Sequence, residues 1–163
     1  MRIITIGVYG FSEEAFFQKL QEAHVDTFCD IRWRRGVRGR EYAFANSNRL
    51  QKRLGELGIT YLHFRELAPS PELRKRQTAA DNAAGIEKRK RSTLGEAFIV
   101  GYHESIAGLD SRRFIESLGV EAKIAALFCV ERNPAACHRS LLVERLQQDL
   151  GAQLEVAHLT PDL

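Results

Sequence analysis

Three features of this chain predict an α/β fold: a single mainly parallel sheet of about five strands flanked by helices. Runs of strand length and of apolar or β-branched composition occur at 2–7, 25–31, 59–64, 124–130 and 154–159. Segments of helical periodicity separate most of them, as right-handed crossovers between parallel strands require. The run 124–130 is apolar throughout, as a strand covered on both faces must be, and is expected at the centre of the sheet. With 163 residues and 44% hydrophobic composition, the chain 1–163 is expected to form one domain with its own core.

The first strand, RIITIG, ends on a glycine that feeds the loop 8–11. Ser12 then caps a helix whose first turn carries Glu13 and Glu14 and whose buried side is Phe16, Phe17, Leu20 and Ala23. Tyr9 and Ser12, at this turn, are candidate substrate contacts. The full glycine fingerprint of dinucleotide sites is missing, and no cofactor is expected. The second strand runs into Asp30, followed by Arg32, Trp33, Arg34 and Arg35. Arginines so close keep Asp30 ionised, which suits a carboxylate that orients arginine, binds a sugar hydroxyl or joins a metal site, and equally suits a plain ion pair. Asp30 is carried as a candidate catalytic residue.

The segment 34–45 has two glycines and no sustained period, and reads as a mobile loop with Trp33, Tyr42 and Phe44 available for stacking. Its Arg34, Arg35, Arg38 and Arg40 are candidate nucleic-acid contacts. Asn46 or Ser47 caps the next helix, with Leu50, Leu54 and Leu57 on one side and Gly58 as its stop. Asn46 is also a candidate substrate contact. His63, in the third strand, reads as structural. Between 69 and 93 two prolines and two basic clusters interrupt the rhythm, predicting a basic, flexible insertion with a helix near 71–80. Helices are expected over 93–107, with Leu94, Phe98, Ile99 and Tyr102, and from Ser111, with Phe114, Ile115 and Leu118. The whole is a Rossmann-like arrangement.

After the central strand come Glu131 and Arg132. Asn133 is a good N-cap and Pro134 suits a first helical position, so a helix is expected from there to Gly151. Ligands of parallel sheets bind beyond the strand ends, where helix N-termini supply N–H groups. Glu131, Cys137, His138 and Arg139 therefore lie at a favoured position. One reading is acid–base chemistry on an anion: Arg32 and Arg139 hold a phosphate or similar group, Glu131 acts as base or orienter, and His138 moves protons. A second is thiol or redox chemistry at Cys137. Neighbours on a helix diverge by about 100°, so this pair does not by itself make a dyad, and Cys137 equally suits core packing beside Leu141. A metal site is not expected: paired Cys-x-x-Cys or His-x-x-x-His spacing is missing, and one Cys and one His adjacent in a helix do not readily share an ion.

The net charge is +3, and 12 of the 24 basic residues stand in three clusters, at 32–40, 74–76 and 88–91. That asymmetry suits a nucleotide, nucleic-acid or other phosphorylated partner, and equally suits ordinary solvated loops. A non-enzymatic nucleic-acid-binding module is the alternative to a hydrolase or transferase. Clusters that converge on the Glu131 turn serve one site; clusters on a separate face serve a polyanion surface. Three cysteines, two of them in strand patterns, predict reduced thiols. With no apolar run near 18 residues and no secretory pattern at the N-terminus, a cytoplasmic protein without membrane partners is expected. Oligomeric state is not legible in the sequence.

Four pieces together, TIGVYGFS at 5–12, CDIR at 29–32, FANSNRLQKRLGELGITYLHFRELA at 44–68 and LFCVERNPAACHRSLLVERL at 127–146, resemble the family named domain of unknown function 488. Its strongest element is Cys129-x-Glu131 followed by Cys137-His138-Arg139. The resemblance implies a small bacterial or archaeal α/β protein in which these residues matter, and implies no particular reaction. In the family the loop after Asp-x-Arg carries serine and proline; here it is Trp33-Arg34-Arg35-Gly36-Val37.

Overall fold

In the computed structural model, which describes residues 1–162, five parallel strands form one sheet: β1 (Arg2–Gly7), β2 (Thr27–Asp30), β3 (Thr60–His63), β4 (Ile124–Cys129) and β5 (Glu155–Leu159). Their order is β3-β2-β4-β1-β5, so the apolar run forms the central strand, as its composition predicts. Because every neighbouring pair is parallel, all five carboxyl ends lie along one edge, and the site described below occupies it.

Strand parity divides the core. Ala126 and Phe128 of β4, with Ile4, Ile6 and Phe28, face α1 (Glu13–Glu22) and α2 (Ser47–Glu56). There Phe16 sits among Phe11, Phe17, Phe28, Phe44 and Phe128. Ala125, Leu127 and Cys129, with Ile3 and Cys29, face the opposite layer of α3 (Pro71–Ala83), α4 (Glu96–Ser105), α5 (Ser111–Ser117) and α6 (His138–Leu150). Residues two apart on a strand share a face, so Cys129 continues the line of Ala125 and Leu127 towards α6, and Glu131 stands two residues past the strand end. None of the described helices is long and apolar enough to cross a membrane.

Two segments differ from the sequence reading, and a third extends it. In 34–45, residues Arg40–Ala45 form a 3-10 turn, and Phe44 is buried against Phe16 and Phe17 instead of being free to stack. Its apolar side chain outweighs the glycine-rich setting. The 69–93 segment holds the helix expected near 71–80 as α3, which runs on to Ala83 and is capped by Ser70, followed by a 3-10 turn at Lys88–Lys90. Buried Gln77 and Asp81 tie α3 down: Gln77 accepts from the Gly95 amide and donates to Asp81, and Asp81 pairs with Arg91. Last, α6 starts at His138 and not at Pro134.

β1 and the turn after β4 meet closely. The Val8 and Tyr9 amides both donate to the Val130 carbonyl, and a Cβ on Gly7 would lie 1.8 Å from the Glu131 carbonyl oxygen. Glycine is required here for close approach. Gly7→Ala is expected to cost about 3 kcal/mol or more, the upper range for overpacking against backbone that cannot yield, read as a lower urea midpoint with unchanged slope.

Candidate functional site

The turn after β4 is shaped by its own side chains. Asn133 accepts from the Ala135 amide and Pro134 fixes the next φ, but the result is only a 3-10 turn, Pro134–Ala136. The Ala136 carbonyl is held by the Arg91 guanidinium, at 3.3 Å from Nε and 3.1 Å from Nη2. Cys137 then takes an extended backbone, φ −139° and ψ 145°, and acts as the N-cap of α6. Cys137 and His138 are therefore not consecutive residues of one helix, and the expected 100° divergence does not apply. The Cys137 Sγ lies 3.7 Å from His138 Nδ1.

His138 Nε2 is 3.0 Å from the Ile31 carbonyl. A carbonyl only accepts, so Nε2 carries the hydrogen, and in the neutral ring Nδ1 presents its lone pair to Cys137. Cys129, on the same face of the sheet, completes the group: its Sγ, the Cys137 Sγ and a His138 ring nitrogen all lie within 4.8 Å of one another, and all three residues are buried. Burial opposes ionisation of Cys137, but the hydrogen bond from Cys129 and the proximity of His138 and Arg139 outweigh it and hold its thiol well below the ordinary range. Cys129 moves the other way, well above that range, through its hydrogen bond with Cys137 and through burial.

These groups border a cavity of about 450 Å³ over the carboxyl edge of the sheet. Glu131 is the one carboxylate in its described lining and is 4% exposed. Burial pushes it up to about 7, and Cys137 adds to this, against the opposing pull of Arg91, Lys88 and Arg139. Arg91 Nη2 stands 3.2 Å and Lys88 Nζ 3.8 Å from Glu131 Oε1. The rest of the charge in the lining is positive: Arg32, Arg34, Arg38, Arg74 and Arg89. The three basic clusters, far apart in sequence, thus converge on the Glu131 turn. Arg34, Arg38 and Arg74 have no carboxylate partner among the described residues, and the Arg74 Nε is buried without a hydrogen bond. Burial, and after it the nearby charge of Arg34, depress the Arg74 pKa. Arg89 covers Tyr9 and Tyr42, 5.1 and 5.3 Å from their ring centroids, and Trp33, stacked under Arg65, forms part of the wall.

Of the residues predicted from sequence, the structure brings Glu131, His138, Cys137, Tyr9, Arg34, Arg38 and Arg32 to this cavity. Arg32, however, is 3% exposed and its guanidinium is engaged by both Asp30 oxygens and the Ala45 carbonyl. Asp30 is elsewhere. It is fully buried outside the cavity lining, saturated by Arg32 and the Tyr61 hydroxyl, so the ion pair is what it makes. Ser12 spends its hydroxyl on the Ala15 amide, and Asn46 accepts from the Val37 amide. Arg35 and Arg40 are exposed and lie outside the lining. Arg139 is fully buried and donates to the Glu131 carbonyl at 2.6 Å and the Arg132 carbonyl at 3.2 Å. It shapes the turn from within. The reading of single residues missed Cys129, Arg74, Lys88 and Arg91. The signal for Cys129 was its place at the end of the central strand, two residues before Glu131; for the cations it was the charge clustering itself.

Removing the Arg139 side chain strips two carbonyls of their donor at about 1–3 kcal/mol each. Arg139→Ala is expected to lower the stability of the fold by roughly 3 kcal/mol in urea denaturation. Arg139→Lys should restore little, because an ammonium is a point charge that lacks the guanidinium fork needed to reach both carbonyls.

No curated protein and no solved structure matches this chain. A family model does match, over residues 12–146, from the cap of α1 into α6, and so over most of the chain. The turn after β4, with Cys129, Glu131, Cys137, His138 and Arg139, lies wholly inside that match, and the chain belongs to the family described as domain of unknown function DUF488.

Proposed function

We propose that the cavity takes an anionic substrate, a nucleotide or another phosphorylated compound, and that the protein is an enzyme of hydrolase or transferase type. The convergence of Arg34, Arg38 and Arg74 on one recess, with no carboxylate partner among the described residues, carries this reading. Arg34 and Arg38 are exposed and Arg74 is half-buried, and a phosphate bound among them would offset their mutual repulsion while accepting their forked donors. Trp33, half-buried in the cavity wall, supplies aromatic surface for a base or sugar. Glu131 would orient or deprotonate the attacking group, with His138 in the same lining. A recess of this size favours a small ligand or a chain end over a long nucleic acid laid across a flat face, which separates this reading from a purely nucleic-acid-binding module. A reducing, cytoplasmic setting suits the three free thiols.

Trp33, the single tryptophan of the chain and part of the cavity wall, provides the readout. Mononucleotides, phosphosugars and short RNA and DNA are titrated against its fluorescence at two salt concentrations. A mononucleotide or phosphosugar is expected to change the emission, and Arg74→Ala or Arg34→Ala to weaken its binding by about 10–100-fold, the worth of one hydrogen bond to a charged group. A response confined to RNA or DNA, steeply salt-dependent and indifferent to Arg74→Ala, would instead identify a nucleic-acid-binding surface.

Among ligands that bind, Glu131→Gln is expected to leave the fluorescence titration intact while lowering turnover by about 10²–10⁴-fold, the usual contribution of a positioned acid–base group. Unchanged turnover in this variant would remove Glu131 from the mechanism.

A further inference from the structure

We propose that Cys129, Cys137 and His138 form a zinc-class metal site, two sulfurs and one imidazole nitrogen, with a fourth position facing the cavity. The inference rests on geometry independent of the anion-binding reading. Three donors at Zn–S ~2.3 Å and Zn–N ~2.0–2.1 Å in a tetrahedron stand about 3.5–3.8 Å apart. Cys137 Sγ and His138 Nδ1 are 3.7 Å apart. All donor separations are within 4.8 Å, so the widest pair needs to close by no more than about 1 Å to reach that spacing.

The spacing rule that argues against metal from sequence holds for two residues inside a helix. Here the extended backbone of Cys137 lifts its side chain out of the helical series, while His138 is the first helical residue, so neighbours in sequence converge. The third donor arrives from the sheet: Cys129 ends β4 on the face turned to α6. The surroundings are those of a ligand set. Imidazoles that bind metal donate their second N–H to a carbonyl or carboxylate, which fixes the tautomer. His138 has this partner in Ile31, with Nε2 engaged and Nδ1 directed to Cys137. Two thiols with one imidazole select soft or borderline ions, Zn²⁺ among them, over Mg²⁺ or Ca²⁺. All three residues also line the cavity, which leaves room for water or a substrate atom in the open position, the pattern of a catalytic and not a closed structural site.

Co²⁺ is the probe, because thiolate ligation gives near-ultraviolet charge-transfer bands and tetrahedral geometry gives intense visible bands. The full chain is stripped with chelator, held reduced with a phosphine, and titrated with Co²⁺ and then Zn²⁺. The expected result is one Co²⁺ per chain with both band sets, displaced by Zn²⁺. Cys129→Ser and Cys137→Ser should each weaken binding by more than about 100-fold, beyond the 10–100-fold typical of outer-shell partners, while Cys29→Ser, a buried thiol outside the group, leaves it unchanged. His138→Gln should behave like the two serine variants. If loss of the Ile31 contact unfolds it, the serine variants decide by themselves. Folded wild-type protein without charge-transfer bands at millimolar Co²⁺, or serine variants that bind as wild type, would overturn the site. So would alkylation of Cys137 by iodoacetamide at a rate that Zn²⁺ does not change. Arg74→Ala should leave the cobalt titration untouched, so failure of the anion site and failure of the metal site are read separately.

Discussion

The fold's functional edge depends on a single buried guanidinium. Arg139 rises from the first turn of α6 and donates to the carbonyls of Glu131 and Arg132, where the central strand has ended and no neighbouring strand continues the ladder. Buried carbonyls need donors, and a rigid fork on a helix supplies two at once. The glycine at the end of β1 is the counterpart of this clasp, since any side chain there would occupy the space of the Glu131 carbonyl and crowd Arg139 Nη1. Together they hold Cys129, Glu131, Cys137 and His138, which come from a strand, a turn, a cap and a helix, in one constant relation.

The chain uses arginine in two physically different ways. Arg32 and Arg139 are buried and engaged, one by a bidentate carboxylate and a carbonyl, the other by two carbonyls with its Nε left without a hydrogen bond, and their work is internal. Arg34, Arg38 and Arg74 stand around the cavity without a carboxylate partner among the described residues, and burial, with Arg34 nearby adding to it, lowers the Arg74 pKa. Like charges gathered in this way work against stability. Arg91 links the two groups: it clamps the Ala136 carbonyl, pairs with Asp81 of α3 and reaches Glu131, so the segment after α3 is joined to the carboxyl edge of the sheet.

The strands and most helices were legible because they follow from local composition. Ser12 caps α1 through the Ala15 amide, and the apolar run at 124–130 lies at the centre of the sheet. Ser70 likewise caps α3 at Pro71, within the span read as an insertion. The start of α6 was misread for a physical reason. Asn133 and Pro134 are good helix openers, but they open only a 3-10 turn, and Arg91, 45 residues earlier in the chain, holds the Ala136 carbonyl so that the backbone straightens at Cys137. Asp30 was misplaced for another: strand parity turns it to the α1 and α2 layer, away from Glu131.

Local chemistry along the chain was therefore enough to specify an α/β fold with five strands, the identity of the central strand, and the turn where reactive side chains gather. The tertiary structure decided which of them meet. Whether an arginine is spent on a carbonyl or left facing a cavity, and whether a cysteine follows or leaves the helical series, depends on partners that approach from distant segments. Periodicity and capping carry no record of those partners, because the contacts exist only once the sheet has brought its carboxyl ends to one edge.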